Sequence, residues 1–308
     1  MKVFETELTK IATTQAAHEQ KILQLQNVVG LGIGAKTIGG KETKEICIQV
    51  YVKKKFAKKS LTKNNIVSES FDGIKTDVIE VGEIEAQAYT EKLRPAQPGY
   101  SIGHYKITAG TFGCLVRDTC CKSVYILSNN HVLANSNAAS VNDPILQQGR
   151  YDGGSYPEDV IATLFKFVPI RFNNPKNYNL VDAALALPTD TRNVITSIVA
   201  LGIPKGVEEA TLGMDVVKSG RTTETTSGSI KAINVSINVS YGPGKVAYFR
   251  NQILTDAMSQ GGDSGSLLLS KKERKAVGLL FAGSSSVTIH NNISNVLMAL
   301  NIDMITTQ

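Results

Sequence analysis

The chain has 308 residues, 42% of them apolar and 19% charged, which excludes one small domain and suits one large domain or two unequal ones with a real core. The net charge of +6 is modest, and part of it sits in one stretch, Lys53-Lys54-Lys55 with Lys58, Lys59 and Lys63. Phe56 is the lone aromatic there, so the interleaving of a nucleic-acid platform is missing; a solvated loop or edge is expected, with no nucleic-acid partner.

The first residues, MKVFETELTKIATTQAAHEQ, place charges and threonines where a secretory signal carries its apolar run, so a cytoplasmic location is expected. No apolar run is long enough for a membrane helix. The four cysteines, Cys47, Cys114, Cys120 and Cys121, show neither a dense disulfide framework nor paired C-x-x-C spacing for zinc. No metal or cofactor is expected.

In chain order, Phe4, Leu8, Ile11, Gln15, His18, Ile22 and Leu25 recur at steps of four and three, which is one stripe of a helix ending near Asn27. Two polar members leave two uses for it: packing on its own domain, or a coiled-coil contact with a second copy or a regulatory partner. His18 is a seam residue in either case. The segment VVGLGIGAKTIGGKETKEICIQVYVKK then predicts two strands around a Gly39-Gly40-Lys41 turn, with Ile46, Ile48, Val50 and Val52 alternating. Gly30, Gly32 and Gly34 imitate a dinucleotide loop, but no helix pattern follows them. The run from Gly34 to Lys41 imitates a phosphate loop, yet Gly40 and Glu42 stand where that motif needs Lys and Ser or Thr.

A small α/β unit over residues 1–95 is therefore expected, bounded by LRPAQPGY with Pro95 and Pro98. From 100 to 308 the pattern changes to short apolar runs separated by Gly, Asn, Asp and Ser, among them VYILSNNHVLA, VDAALALP, GSLLLS and AVGLLFAG. Many short strands at frequent turns predict a mainly β architecture of sandwich or barrel type. The last run, ISNVLMALNIDMI, predicts a closing helix.

Within this region lie the parts of a serine hydrolase. Such chemistry needs a hydroxyl on a sharp turn, a neutral imidazole, a carboxylate to orient it, and backbone N–H groups aimed at the developing oxyanion. GGDSGSLLL holds Ser264 between glycines before an apolar strand, with N–H groups on both sides able to converge on one point. ILSNNHVLA presents His131 at a strand end, whereas His104 and His290 lie in polar surroundings without a comparable flank. NYNLVDAALALP places Asp182 before a strongly apolar run, where a carboxylate needs a partner such as an imidazole N–H. Asp159, in PEDVIATL, is the runner-up acid. The order His131, Asp182, Ser264 excludes an α/β-hydrolase, whose acid and histidine follow the serine; too few residues remain after Ser264 for that sheet.

The region from about Tyr100 onward resembles the chymotrypsin-like (trypsin-like) serine peptidases of bacterial type. SNNHVLA, VDAALA and GGDSGS match the three catalytic segments in order. VVKSGRTTETTSGSI resembles the S-G-x-T-T segment of the streptogrisin and α-lytic protease group, and VGLLFAGSS resembles the strand that pairs with substrate backbone. The resemblance implies a double six-stranded antiparallel β-barrel with the triad in the cleft between barrels, and an oxyanion hole from the N–H groups of Gly262 and Ser264. It implies a specificity pocket with Met258 at its floor and Gly283, Ser284 and Ser285 on its wall, and hence a non-basic residue before the cut. Asp256, beside Met258, reaches the floor only after a register shift. It also implies an internal cation for Asp263, which Lys218 or Arg221 would supply. Three positions depart from the family pattern. Ser266 replaces a second glycine after the nucleophile, Phe281 replaces a serine that supports the catalytic Asp, and Val132 follows His131, so the cysteine pair bracketing the His is absent. The implied activity is endopeptidase cleavage of a protein or peptide substrate through an acyl-enzyme; the competing function is a catalytically silent or partner-activated scaffold on the same fold.

Overall fold

The computed structural model describes residues 2–82, 88–107 and 109–306, with the side chains of residues 2–6 and 63 left aside. The chain divides into two compact units, residues 1–87 and 88–308. The division falls before Pro95 and Pro98. Tyr89 N–H donates to Arg221 O at 3.0 Å, Leu93 N–H donates to Gln147 Oε1, and Ala96 bridges Val194, so residues 88–99 belong to the second unit. Prolines there mark bends in a strap held to the second unit by the amides of Tyr89, Leu93, Ala96 and Gly99, rather than a linker.

In the first unit, helix α1 (Lys2–Leu23) packs on a four-stranded sheet of order β1-β2-β4-β3, formed by Val28–Ile38, Lys41–Val52, Ile74–Glu80 and Ser70–Phe71. Ile11 and Ile22 of the stripe are buried with Ile48 and Val50, and His18 stacks on Phe71 while bonding Asp72 at 2.9 Å. The stripe is thus covered by its own sheet; the Phe4 side chain lies outside the described residues. Gly39 and Gly40 form the expected hairpin turn, with φ of +58° and +79°. Strands β2 and β4 run parallel. Within the basic stretch, Lys58 pairs with Glu69 and Lys55 N–H donates to Glu80 Oε2. Among the described residues no helix is long and apolar enough to cross a membrane.

The second unit is mainly β, as expected. Its last six long strands close a barrel of order β12-β13-β14-β17-β16-β15: Asp215–Gly220, Glu224–Ser240, Val246–Asp256, Val287–Asn292, Ala276–Gly283 and Leu267–Ser270. Val216, Ile230, Ile253, Leu268 and Val277 fill it. The first half is an eight-stranded sheet of order β18-β7-β8-β11-β10-β9-β5-β6. These are Ile302–Met304, Cys114–Asp118, Val124–Ser128, Ala184–Pro188, Val160–Phe167, Pro144–Leu146, Ser101–His104 and Gly110–Thr111. A core of Cys114, Leu127 and Leu185 with Leu267, Leu279 and Val296 joins the halves.

The chain end is more than a helix. Helix α3 (Ile293–Leu300) stops at Asn301, at φ +60°, and the chain returns as β18 against β7 of the first half. All four cysteines are free thiols, and burial pushes that of Cys114 up to about 12.

His290 lies fully buried in the barrel wall. Its Nε2 meets Thr255 Oγ1 at 3.1 Å, and its Nδ1 has no hydrogen-bond partner among the described residues. Burial first, and the Lys218 charge second, push its pKa down to about 3 from an ordinary 6.5. A depressed pKa means that the unfolded chain takes up the proton first. The stabilisation is therefore complete above about pH 6.5 and is lost as pH falls toward 3. Denaturant titrations at pH 7 and pH 4.5 should show the wild type losing about 2–3 kcal/mol more than His290→Asn over that interval, at ~1.4 kcal/mol per pH unit. Equal losses in the two proteins would show that His290 does not carry this pH dependence.

Candidate active site

The His131 and Asp182 segments are brought together by the first-half sheet. His131 sits in a one-turn helix, α2 (Asn130–Leu133), that follows β8 directly. Two asparagines before it fix the turn. Asn129 Nδ2 donates to Asp182 O at 2.7 Å, while Asn130 Nδ2 donates to Val168 O at 2.7 Å and to Asn137 Oδ1 at 2.8 Å. Asp182 lies in the approach to β11, its N–H donating to Asn291 Oδ1 at 2.9 Å. His131 Nδ1 meets Asp182 Oδ2 at 2.6 Å, and His131 N–H donates to Oδ1 at 3.2 Å. An imidazole nitrogen facing a carboxylate carries the proton, which leaves the Nε2 lone pair free toward the cleft. Asp159, the runner-up acid, is held instead by Ser155 and Lys92.

The Asp182 side chain has no exposed surface. A carboxylate in that position is tolerated only with several donors. The third donor is one that sequence reasoning missed: Tyr241 Oη donates to Asp182 Oδ2 at 2.7 Å. Phe281 does not supply a hydroxyl; its ring packs 4.6 Å from that of Phe249, which stacks in turn on Tyr241. The missing support has moved from β16 to the turn between β13 and β14. The aromatic cluster was visible in the sequence only as scattered rings, and nothing in the spacing marks Tyr241.

Ser264 occupies the loop between β14 and β15. Thr111 N–H donates to Ser264 O at 2.8 Å, and Gly265 N–H donates to Leu280 O at 2.8 Å. Gly265 is at φ +97°, and a Cβ there would stand 2.1 Å from Ser128 Oγ and 2.4 Å from Thr111 O, so only glycine fits. Ser266 Oγ donates to Asp263 O at 2.6 Å, which explains a serine in place of the second glycine. In this loop Asp263, Gly265 and Ser266 each give their N–H to a backbone carbonyl, whereas those of Gly262 and Ser264 have no acceptor among the described residues. Gly110 draws the segments together, since a Cβ on it would meet Val132 Cγ2 at 2.4 Å and Ser264 O at 3.1 Å. No hydrogen bond joins the Ser264 hydroxyl to His131 among the described residues; in ligand-free sites such bonds are often long and tighten on substrate binding.

Asp263 is a second fully buried carboxylate. Oδ1 accepts from Thr222 N and Thr223 N at 2.8 and 3.1 Å. Oδ2 accepts from Thr223 Oγ1 at 2.6 Å and Gln260 N at 2.9 Å. Of the two candidate cations, Lys218 is the partner, with Nζ 3.3 Å from Oδ2 and a further bond to Glu224 O at 3.0 Å. Burial pushes the Lys218 ammonium down, and Asp263 counters part of that shift. Arg221 is not the partner. It turns to Asp152, Nε meeting Oδ2 at 2.8 Å, and that bond raises its pKa.

A cavity of about 450 Å³ opens beside Ser264, lined by Ser259, Gly261, Leu280, Gly283, Ser284 and Ser285. Met258 is not its floor. With 3% exposure its side chain belongs to the barrel core with Val216 and Ile230, and the next residue, Ser259, faces the cavity with its hydroxyl bonded to Thr288 Oγ1 at 2.9 Å. A wider cleft of about 1090 Å³, lined by His131, shares Ala282, Gly283 and Ser284 with that cavity.

Over 86 residues the chain is 38% identical to serine protease 1 of Streptomyces fradiae, covering 28% of this chain and 19% of that protein. Over 85 residues it is 41% identical to glutamyl endopeptidase 2 of Streptomyces griseus, covering 28% of this chain and 36% of that protein. The matches thus span well under half the length of either relative. A solved structure similar to the chain is Thermobifida fusca protease A, at 18% identity and a TM-score of 0.49, covering 68% of this chain and 98% of the other. Residues 110–279, more than half of the sequence, match the family model of the trypsin-like peptidase domain, and the chain belongs to that family.

Proposed function

We propose that the chain is a serine endopeptidase that cleaves peptide bonds through an acyl-enzyme. The observation that carries this is the 2.6 Å bond from His131 Nδ1 to the buried Asp182 carboxylate, which leaves Nε2 as the acceptor beside a cleft that shares Ala282, Gly283 and Ser284 with the cavity next to Ser264. Ser264 Oγ attacks the carbonyl carbon as its proton passes to His131 Nε2. The oxygen, now anionic, lies toward the two uncommitted N–H groups of Gly262 and Ser264. The same proton goes to the leaving amine as the C–N bond breaks, and water repeats the sequence to release the acyl group. Ser264→Ala should abolish peptide hydrolysis with its unfolding transition unchanged, whereas His131→Ala should abolish it and also lose stability, because the buried Asp182 loses its imidazole donor. Asp182→Asn should retain a trace, with kcat down by about 10⁴, because the amide favours the wrong tautomer. Full activity of Asp182→Asn would remove Asp182 from the triad.

Asp263 with Lys218 makes the loop self-supporting, so no new amino terminus is needed to shape it. Full-length chain should react with a fluorophosphonate probe without prior cleavage. Lys218→Met strands a buried carboxylate at a cost of about 3–5 kcal/mol and should slow labelling sharply. Labelling that appears only after removal of the first unit would overturn this internal arrangement.

The residue before the cut fills the cavity beside Ser264. Its lining carries hydroxyls from Ser259, Ser284 and Ser285 and no charged side chain; Asp256 is bonded to Ser229 and Lys231 instead. A neutral, medium-sized residue fits this chemistry. Neither the basic preference of a carboxylate-floored pocket nor the glutamate preference in the name of the Streptomyces griseus relative has a counter-charge here. A peptide-library profile should rank neutral residues first, and dominance of Lys and Arg, or of Glu, would reject this assignment.

A further inference from the structure

Tyr241 occupies the turn Tyr241–Lys245 joining two long strands, β13 and β14. The tip is not free-standing. Asn173 Nδ2 donates to Gly244 O at 2.7 Å, Asn173 N–H to Val246 O at 2.7 Å, and Asn179 Nδ2 to Tyr248 O at 3.2 Å, fixing the hairpin to the segment that leads into Asp182. The rings of Phe172 and Phe249 stand 5.5 and 6.3 Å from that of Tyr241, and its edge-on contact with His131 is 5.9 Å. Burial, with the Asp182 charge next, holds the phenol well above its usual pKa, so it stays a donor.

The same hairpin walls the wider cleft. Ile237, Val239 and Tyr241 line it together with Phe281 and Ala282, and these residues form one apolar cluster with Phe249 and Ile289. If the residue before the cut fills the smaller cavity, the chain leading to it follows the shared edge Ala282–Ser284 into the wider cleft and lies against the hairpin. The residue touching that peptide is therefore also a donor to the buried acid.

The geometry points to Tyr241 as the positioning residue for Asp182 and as the link through which peptide lying against the hairpin wall, upstream of the cut, acts on the triad. This rests on the serine peptidase reading. Binding against Ile237 and Val239 presses the tip onto its seat and holds the phenol on Oδ2. Binding energy from a remote part of the substrate is thereby expressed in kcat rather than in KM.

The test compares two amide substrates with the same residue before the cut and the same leaving group, one a single acylated residue and one a tetrapeptide with apolar upstream residues. For the wild type, kcat on the tetrapeptide should exceed that on the short amide by about tenfold or more, as for other remote interactions realised in the transition state. Tyr241→Phe keeps the ring and removes the donor. It should lower kcat on the tetrapeptide by about tenfold with KM within about twofold, and lower the short substrate less, so that the ratio between substrates collapses. Ile237→Ser with Val239→Ser should collapse the ratio with Tyr241 in place. A wild-type ratio below about two overturns the coupling without any variant. So does a Tyr241→Phe protein that loses the same factor on both substrates. Fluorophosphonate labelling of the wild type separates the failures: an unlabelled Ser264 overturns the peptidase reading and the coupling together, and a labelled one with a flat ratio overturns the coupling alone.

Discussion

The Asp182 carboxylate, with no surface open to water, sets the terms for much of the second unit. An unanswered charge in an apolar setting costs several kcal/mol, so donors have to be delivered to it from every direction at once. The imidazole and amide of His131 come from a turn after β8, and Tyr241 comes from a hairpin of the barrel. Asn291 on β17 holds the Asp182 amide and is itself bonded to Gln252 of β14 at 2.7 Å. Neither half of the unit could stabilise this carboxylate alone. The junction of the two halves is then a polar network as well as the apolar seam of Leu127, Leu185, Leu267 and Leu279.

Asp263 repeats the arrangement on the other side of the cleft, with a different result. Four of its contacts are hydrogen bonds from the loop itself and the neighbouring Thr222-Thr223 turn, and Lys218 completes the set from inside the barrel. The amides of Gln260, Asp263, Gly265 and Ser266 are engaged, whereas those of Gly262 and Ser264 have no acceptor among the described residues. The buried charge constrains backbone direction, and backbone direction decides which N–H groups remain for an oxyanion. His290 senses the same lysine from the opposite wall, which is one of the reasons its ring stays neutral.

Much of this was legible in the sequence where a feature is local. Glycines on a sharp turn, a histidine at the end of an apolar strand and an acid before one are short patterns, and their order along the chain chose the fold. The Gly39-Gly40 turn was readable for the same reason. What escaped was set by contacts distant in sequence. Tyr241 and Asp182 are 59 positions apart and meet only because a hairpin folds over. Met258 could not be distinguished from Ser259 as the lining residue, since these neighbours lie just past β14, where one turns into the barrel core and the next lines the cavity. Arg221 and Lys218 offered equivalent charges, and the choice fell to Asp152, which removes the arginine by pairing with it. The return of the chain end as β18 needed knowledge of an open edge on β7.

Moving the supporting hydroxyl from a barrel strand to a hairpin tip changes what the acid depends on. A donor on β16 would be as rigid as the barrel, because that strand is hydrogen-bonded on both sides by β15 and β17. Tyr241 instead follows a ribbon whose β13 strand, beyond Ala232, pairs with β14 alone, and its tip is seated by Asn173 and by the Phe172 and Phe249 rings. Its place against Asp182 therefore depends on those side chains rather than on a closed strand ladder. Phe281 fits the same logic. Its ring fills the space on β16 and gives the hairpin an apolar seat through Phe249. The phenylalanine that removes one support thus builds the platform for the other.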